Sequence, residues 1–108
     1  MQATTVIEAW YLIDFEHDGV DQGVRVAWGI IAEDPSGRWI SGDYCCTSPV
    51  RDEVTEGDAL YAITGNSIYQ LIGPGQRITM PANTILALRQ GYAPPEIMAS
   101  KAMHNNQR

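Results

Sequence analysis

Two adjacent cysteines, two histidines, an acid-rich stretch and a glycine-proline-glycine turn are the residues of this 108-residue chain whose types and spacing could do chemistry. Cys45 and Cys46 are neighbours, and neighbours on a strand point to opposite faces, so a disulfide between them would be strained. They read as reduced thiols of a cytoplasmic protein. His17 and His104 are distant in sequence and complete no zinc-type ligand spacing. With no helix N-terminus or basic residue beside it, neither cysteine is placed to be a reactive thiolate. Asp43, Tyr44 and Cys45 together have the residue types of a catalytic fragment, but an acid at a strand bulge reads as structural.

Residues 14–23, D-F-E-H-D-G-V-D-Q-G, hold four acids. Their oxygens invite a calcium reading, but the alternating ligands ending in a bidentate Glu are missing. A solvated hairpin loop is expected here, with an acidic contact surface as its functional use. Gly73-Pro74-Gly75, with Arg77 behind it, could cradle a phosphate; such loops lead into a helix N-terminus, and this one leads into a strand. Neither histidine has a nucleophile beside it, and there is no G-x-S-x-G elbow, P-loop or dinucleotide fingerprint. No enzymatic activity, cofactor or metal is expected.

The elements that would position these residues are mostly strands. Alternation predicts a first strand over 5–15, with Ile7, Ala9, Tyr11, Ile13 and Phe15 on one apolar face and Val6, Trp10 and Leu12 on a mixed one. A second, over 23–33, puts Val24, Val26, Trp28, Ile30 and Ala32 on one face. Asp34-Pro35-Ser36-Gly37 then turns the chain into a third over 38–47, which would bring Trp28 and Trp39 together. Residues 50–57 read as an irregular acidic connection to a fourth strand over 58–64. Gly65-Asn66 predicts a type II′ turn into a strand over 67–72, and Gly73-Pro74-Gly75 a type II turn into a last one over 77–80. After Pro81 the period becomes helical over 82–90, with Ile85, Leu86 and Leu88 toward the sheet and Gly91 as the stop. Pro95 opens a short helix to about residue 101, and 104–108 read as a frayed tail.

The expected architecture is a single α+β domain over 1–103: roughly six strands in a twisted antiparallel meander or half-barrel, with one C-terminal helix and a short terminal helix. No apolar run approaches the roughly 20 residues of a membrane span, and the first five residues have no basic segment, so no signal peptide is expected.

The net charge of -6 is unevenly spread: residues 1–58 hold twelve of the thirteen acids and sum to about -9, and the remainder to about +3. An acidic half repels nucleic-acid phosphates and favours a basic partner surface.

Trp39, Gly42-Asp43, Thr47-Ser48-Pro49, Thr64, Asn66-Ser67, Tyr69, Leu71, Gly73-Pro74-Gly75 and Arg77 form the pattern W-x-x-G-D, T-S-P, T-x-N-S-x-Y-x-L-x-G-P-G-x-R. This pattern resembles a small family of uncharacterised proteins encoded in phages and prophages, over roughly residues 5 to 90. The family has no assigned activity, so no functional residue carries over. The resemblance implies a setting in the host cytoplasm, where small acidic proteins of mobile elements bind host proteins, including anti-CRISPR and anti-restriction inhibitors. The expected contact residues are Asp14, Glu16, Asp18, Asp21, Asp52, Glu53, Glu56 and Asp58, facing a basic host protein. A second expectation is a structural homo-oligomer joined through an open strand edge or the Trp10 face. A third is a small-ligand binder or enzyme, which would need a concave polar pocket.

Overall fold

The computed structural model of the chain describes residues 1–106, and it opens on two long strands, β1 (Thr5–His17) and β2 (Val20–Glu33). They reverse direction in two residues. Asp18 and Gly19 have φ of 49° and 80°, the positive values of a type I′ turn, whose twist matches that of its strands. The pairs Glu16 with Asp21 and His17 with Val20 follow directly. The expected 14–23 loop is therefore strand for most of its length, because an Asp-Gly pair needs no further residues to turn the chain.

Between Glu8 and Tyr11 the register advances three residues on β1 against two on β2, and Ala9 at the bulge has φ of 49°. One extra residue inverts the side to which all later side chains point. Ile7 and Leu12 consequently share one core, while Ile13 and Phe15 lie in another on the opposite side. The single apolar face expected for the first strand is split in two, and Ala9 is exposed.

The sheet runs β3 (Tyr44–Cys46), β2, β1, β6 (Ile68–Leu71), β5 (Ala59–Ile63), β4 (Asp52–Glu56), with β7 (Gln76–Pro81) also beside β1. Both β6 and β7 run parallel to β1, the first beside residues 5–7 and the second beside 11–16. An all-antiparallel meander is thus replaced by an open mixed sheet of seven strands. Gly73-Pro74-Gly75 does not make a hairpin; it steps one line of chain past the β1 bulge. Trp10 fills the step, its Nε1 donating to Gly73 O at 3.1 Å and its ring covering Gly75. The far ends of the sheet are drawn together where Val50 N donates to Arg25 O and Arg51 N to Ile63 O, both at 2.7 Å.

Three other local expectations change. Only Tyr44–Cys46 of the third strand is paired, because the Asp34 carboxylate holds the preceding loop: it accepts from Trp39 N at 2.6 Å, Thr5 Oγ1 at 3.0 Å and Ser36 Oγ at 2.5 Å. The acidic connection is strand β4, paired with β5 around Gly57-Asp58. The β5–β6 hairpin forms at Gly65-Asn66 as expected, but neither residue has the positive φ of a type II′ turn; Thr64 closes it, donating N–H to Ser67 O at 3.0 Å and accepting Ser67 N on Oγ1 at 3.2 Å.

The first core, Ile7, Leu12, Ala27, Ile31, Ala62 and Leu71 among others, lies within the curl of the sheet and includes Trp39 at its margin. The second is covered by helices and includes Trp28, Met80, Leu88 and Ile97. Trp28 and Trp39 are therefore on different sides; Trp28 stacks on Tyr44 at 6.3 Å and donates Nε1 to Leu88 O at 3.2 Å. A 3-10 turn (Ala82–Thr84) leads into α1 (Ile85–Arg89), which ends at Gly91 as expected. Leu88 faces the core, and Leu86 is 69% exposed rather than beside it. The last helix, α2 (Pro94–Asn106), runs past the expected end near residue 101; of the expected tail, residues 107–108 lie outside the described residues. The architecture is α+β with two short helices, and among the described residues no helix is long and apolar enough to cross a membrane.

Candidate functional site

Asp14 and Arg25 face each other across β1 and β2, and their contact is bidentate: Nε to Oδ1 at 2.7 Å and Nη2 to Oδ2 at 2.9 Å. The third donor of Arg25, Nη1, reaches Glu53 Oε2 on β4, and the other Glu53 oxygen accepts from Arg77 Nη2 of β7 at 2.7 Å. Two carboxylates and two guanidiniums from four strands make a neutral cluster at the end of the sheet's inner core. The Arg77 hydrogen bond holds the Glu53 carboxyl below its usual range, against the cost of partial burial and with the Arg25 hydrogen bond adding. Hydrogen bonds to Asp14 and then Glu53 raise the Arg25 pKa.

Beside this cluster is an open cleft of about 470 Å3, where β2 and the 50–53 segment diverge below the Val50–Arg25 hydrogen bond. Asp14, Asp21, Asp52 and Glu53 line it with Arg25 and Arg51. No family model, curated protein or solved structure matches the chain. The site is accordingly read from its own geometry.

The eight acids singled out in the sequence fall into three groups. Asp14 and Glu53 are half-buried and neutralised inside the ion cluster. Glu16 and Glu56 have single partners among the described residues, one local and one distant: Glu16 Oε2 accepts Gly19 N at 2.6 Å, and Glu56 Oε1 meets the amino group of Met1 at 2.6 Å. Asp18, Asp21, Asp52 and Asp58 are exposed and have no Lys or Arg partner among the described residues. Asp18 lies 3.5 Å from His17, while among the described residues Asp21 and Asp52 accept only the nearby amides of Gly23 and Glu53. Asp18 and Asp21 are at the β1–β2 hairpin tip, where residues 17–24 are all exposed and include Val20 at 63%.

Sequence reasoning missed Arg25 and Arg77 as internal counter-ions. The Asp14–Arg25 pair is hidden by a register shift between Asp14 and Glu16, and counting outward from the turn does not align the two residues. The elements of a metal site do not converge: among the described residues no three His, Cys, Asp or Glu side chains could hold an ion. Cys45 and Cys46 are free thiols on opposite cores. Burial, then the neighbouring Cys46, pushes Cys45 up to about 12, and burial pushes Cys46 up to about 11.

Proposed function

We propose that the protein is a small phage- or prophage-type module that binds a basic surface of a host protein, as an inhibitor of a host defence of the anti-CRISPR or anti-restriction kind. The observation that carries the reading is the division among the acids. Asp14 and Glu53 are spent on holding four strands together, whereas Asp18, Asp21, Asp52 and Asp58 project into solvent without a compensating Lys or Arg among the described residues. An acidic hairpin tip and the adjoining cleft wall steer a cationic surface during encounter. Val20 and Val24, exposed at the same tip, supply apolar contact once water is excluded. The resemblance of the turn motifs to phage and prophage proteins supports the setting.

The test is capture from bacterial lysate with the wild-type protein and with Asp18→Lys/Asp21→Lys/Asp52→Lys/Asp58→Lys as bait. Retention of a basic protein by the wild type alone, weakening with added salt, supports the reading. A partner held equally by both baits, or none, contradicts it.

A further inference from the structure

β7 is paired with β1 along one edge and with no strand along the other, among the described residues. It is also the longest of the free edges whose pairing carries no register shift. Its six pairs with β1 run without a register shift, and among the described residues no backbone–backbone hydrogen bond outside that ladder involves residues 76–80, while Pro81 O accepts Thr84 Oγ1 at 2.7 Å. The other open edges are blunted or charged: β3 has three residues, the β2 tip is kinked at Gly23 with φ of 71°, and β4 carries Asp52, Glu53 and Glu56. Beside β7 is a groove of about 430 Å3 lined by Tyr11, Ile78, Met80, Pro94, Pro95 and Met98, with Met98 half exposed.

We propose that this edge and groove bind a second copy of the chain, β7 against β7 in antiparallel pairing about a two-fold axis. Charge selects that occupant. The chain carries -6, so two copies repel wherever their acids meet, yet Glu96 is the sole acid in residues 59–108 and neither β7 nor the groove contains one. The β7 side is where like molecules meet at least electrostatic cost. Five residues of the strand, 76–80, carry an amide hydrogen, since Pro81 has none, so full overlap of two edges puts Ile78 on the axis. Gln76 then faces Met80 of the second copy, and Thr79 faces Arg77 of the second copy. Ile78 and Met98 of the two copies come together over the joined grooves, above the buried Met80. The dimer goes beyond the host-binding reading and presents two acidic hairpins at once, which raises avidity for a repetitive basic surface.

Sedimentation of the full chain from micromolar to millimolar concentration tests it, with Thr79→Glu and Thr79→Lys as paired variants at an exposed position. The wild type is expected to dimerise; Thr79→Glu, facing twice per dimer an Arg77 whose charge Glu53 already offsets in part, tightens association roughly threefold, and Thr79→Lys weakens it by a similar factor. A wild type that stays monomeric at millimolar concentration overturns the proposal, as does a shift of both variants in the same direction. Charge reversal at Asp18, Asp21, Asp52 and Asp58 leaves this equilibrium in place, so loss of host binding and loss of dimerisation are separable results.

Discussion

Trp10 lies directly over Gly75: a Cβ placed on Gly75 would sit 2.1 Å from two indole carbons, and the indole Nε1 donates to Gly73 O at 3.1 Å. The bulge in β1 and the step between β6 and β7 are thereby one feature, since the side chain displaced by the first fills the second. Gly75 has no positive φ, so the requirement for glycine there is one of space alone.

Gly75→Ala is expected to destabilise the fold by about 1–3 kcal/mol through overpacking. In a Trp10→Ala background the same change costs less by at least about 0.5 kcal/mol, because the clashing ring is gone. Urea unfolding of the four proteins of this cycle measures the coupling; additive effects would mean that ring and backbone do not compete for space.

Ala9 at φ of 49° is a strained residue in an exposed position. Ala9→Gly relieves that strain and is expected to be neutral or stabilising by up to about 1 kcal/mol, where glycine on a strand ordinarily weakens it. Thermal unfolding of the two proteins gives the sign. A clear loss of stability would contradict the strained-bulge account.

The carboxyl of Glu53, held low chiefly by Arg77, makes the ion cluster pH-dependent in one direction. A group whose folded pKa lies below its unfolded value, about 4.3 for Glu, stabilises the fold fully above that value and loses the contribution as pH falls through the folded pKa. The stability advantage of the wild type over Glu53→Gln is therefore constant near neutrality and shrinks below about pH 4.3. Unfolding curves of both proteins from neutral pH downward check it; an advantage that grows on acidification would contradict the pairing.

Both thiols are expected to resist modification in the folded state, since pKa values of about 12 for Cys45 and about 11 for Cys46 leave almost no thiolate at pH 8. A chromogenic disulfide reagent should titrate both cysteines in urea and react slowly without it. Fast native labelling of Cys46, the half-buried one, would show it accessible and ionised.

The long pattern of the chain was readable where one local rule decides. The turns at Asp34-Pro35-Ser36-Gly37 and Gly65-Asn66, and the helix stop at Gly91, are where residue type places them, although the Gly65-Asn66 turn type differs. What escaped were features set by a single residue's displacement. Nothing in A-W-Y marks Ala9 as a bulge, yet that residue decides which side Ile7, Leu12, Ile13 and Phe15 face. The Asp-Gly at 18–19 was legible as a type I′ turn; the surrounding acids made it look like part of a longer loop. Parallel pairing of β6 and β7 with β1 joins residues some sixty positions apart and leaves no local trace. The same holds for the acids: composition gives their number, but only the packed Arg25 and Arg77 separate the internal Asp14 and Glu53 from those facing water.

The central claim is that the exposed acids, and not the clustered ones, guide the protein to a basic partner. The association rate constant with the captured host protein, followed against ionic strength, measures this directly. The account predicts a rate that falls steeply with salt and drops at least about tenfold in Asp18→Lys/Asp21→Lys/Asp52→Lys/Asp58→Lys, with the fold intact by circular dichroism. A rate indifferent to salt and unchanged in that variant would contradict it.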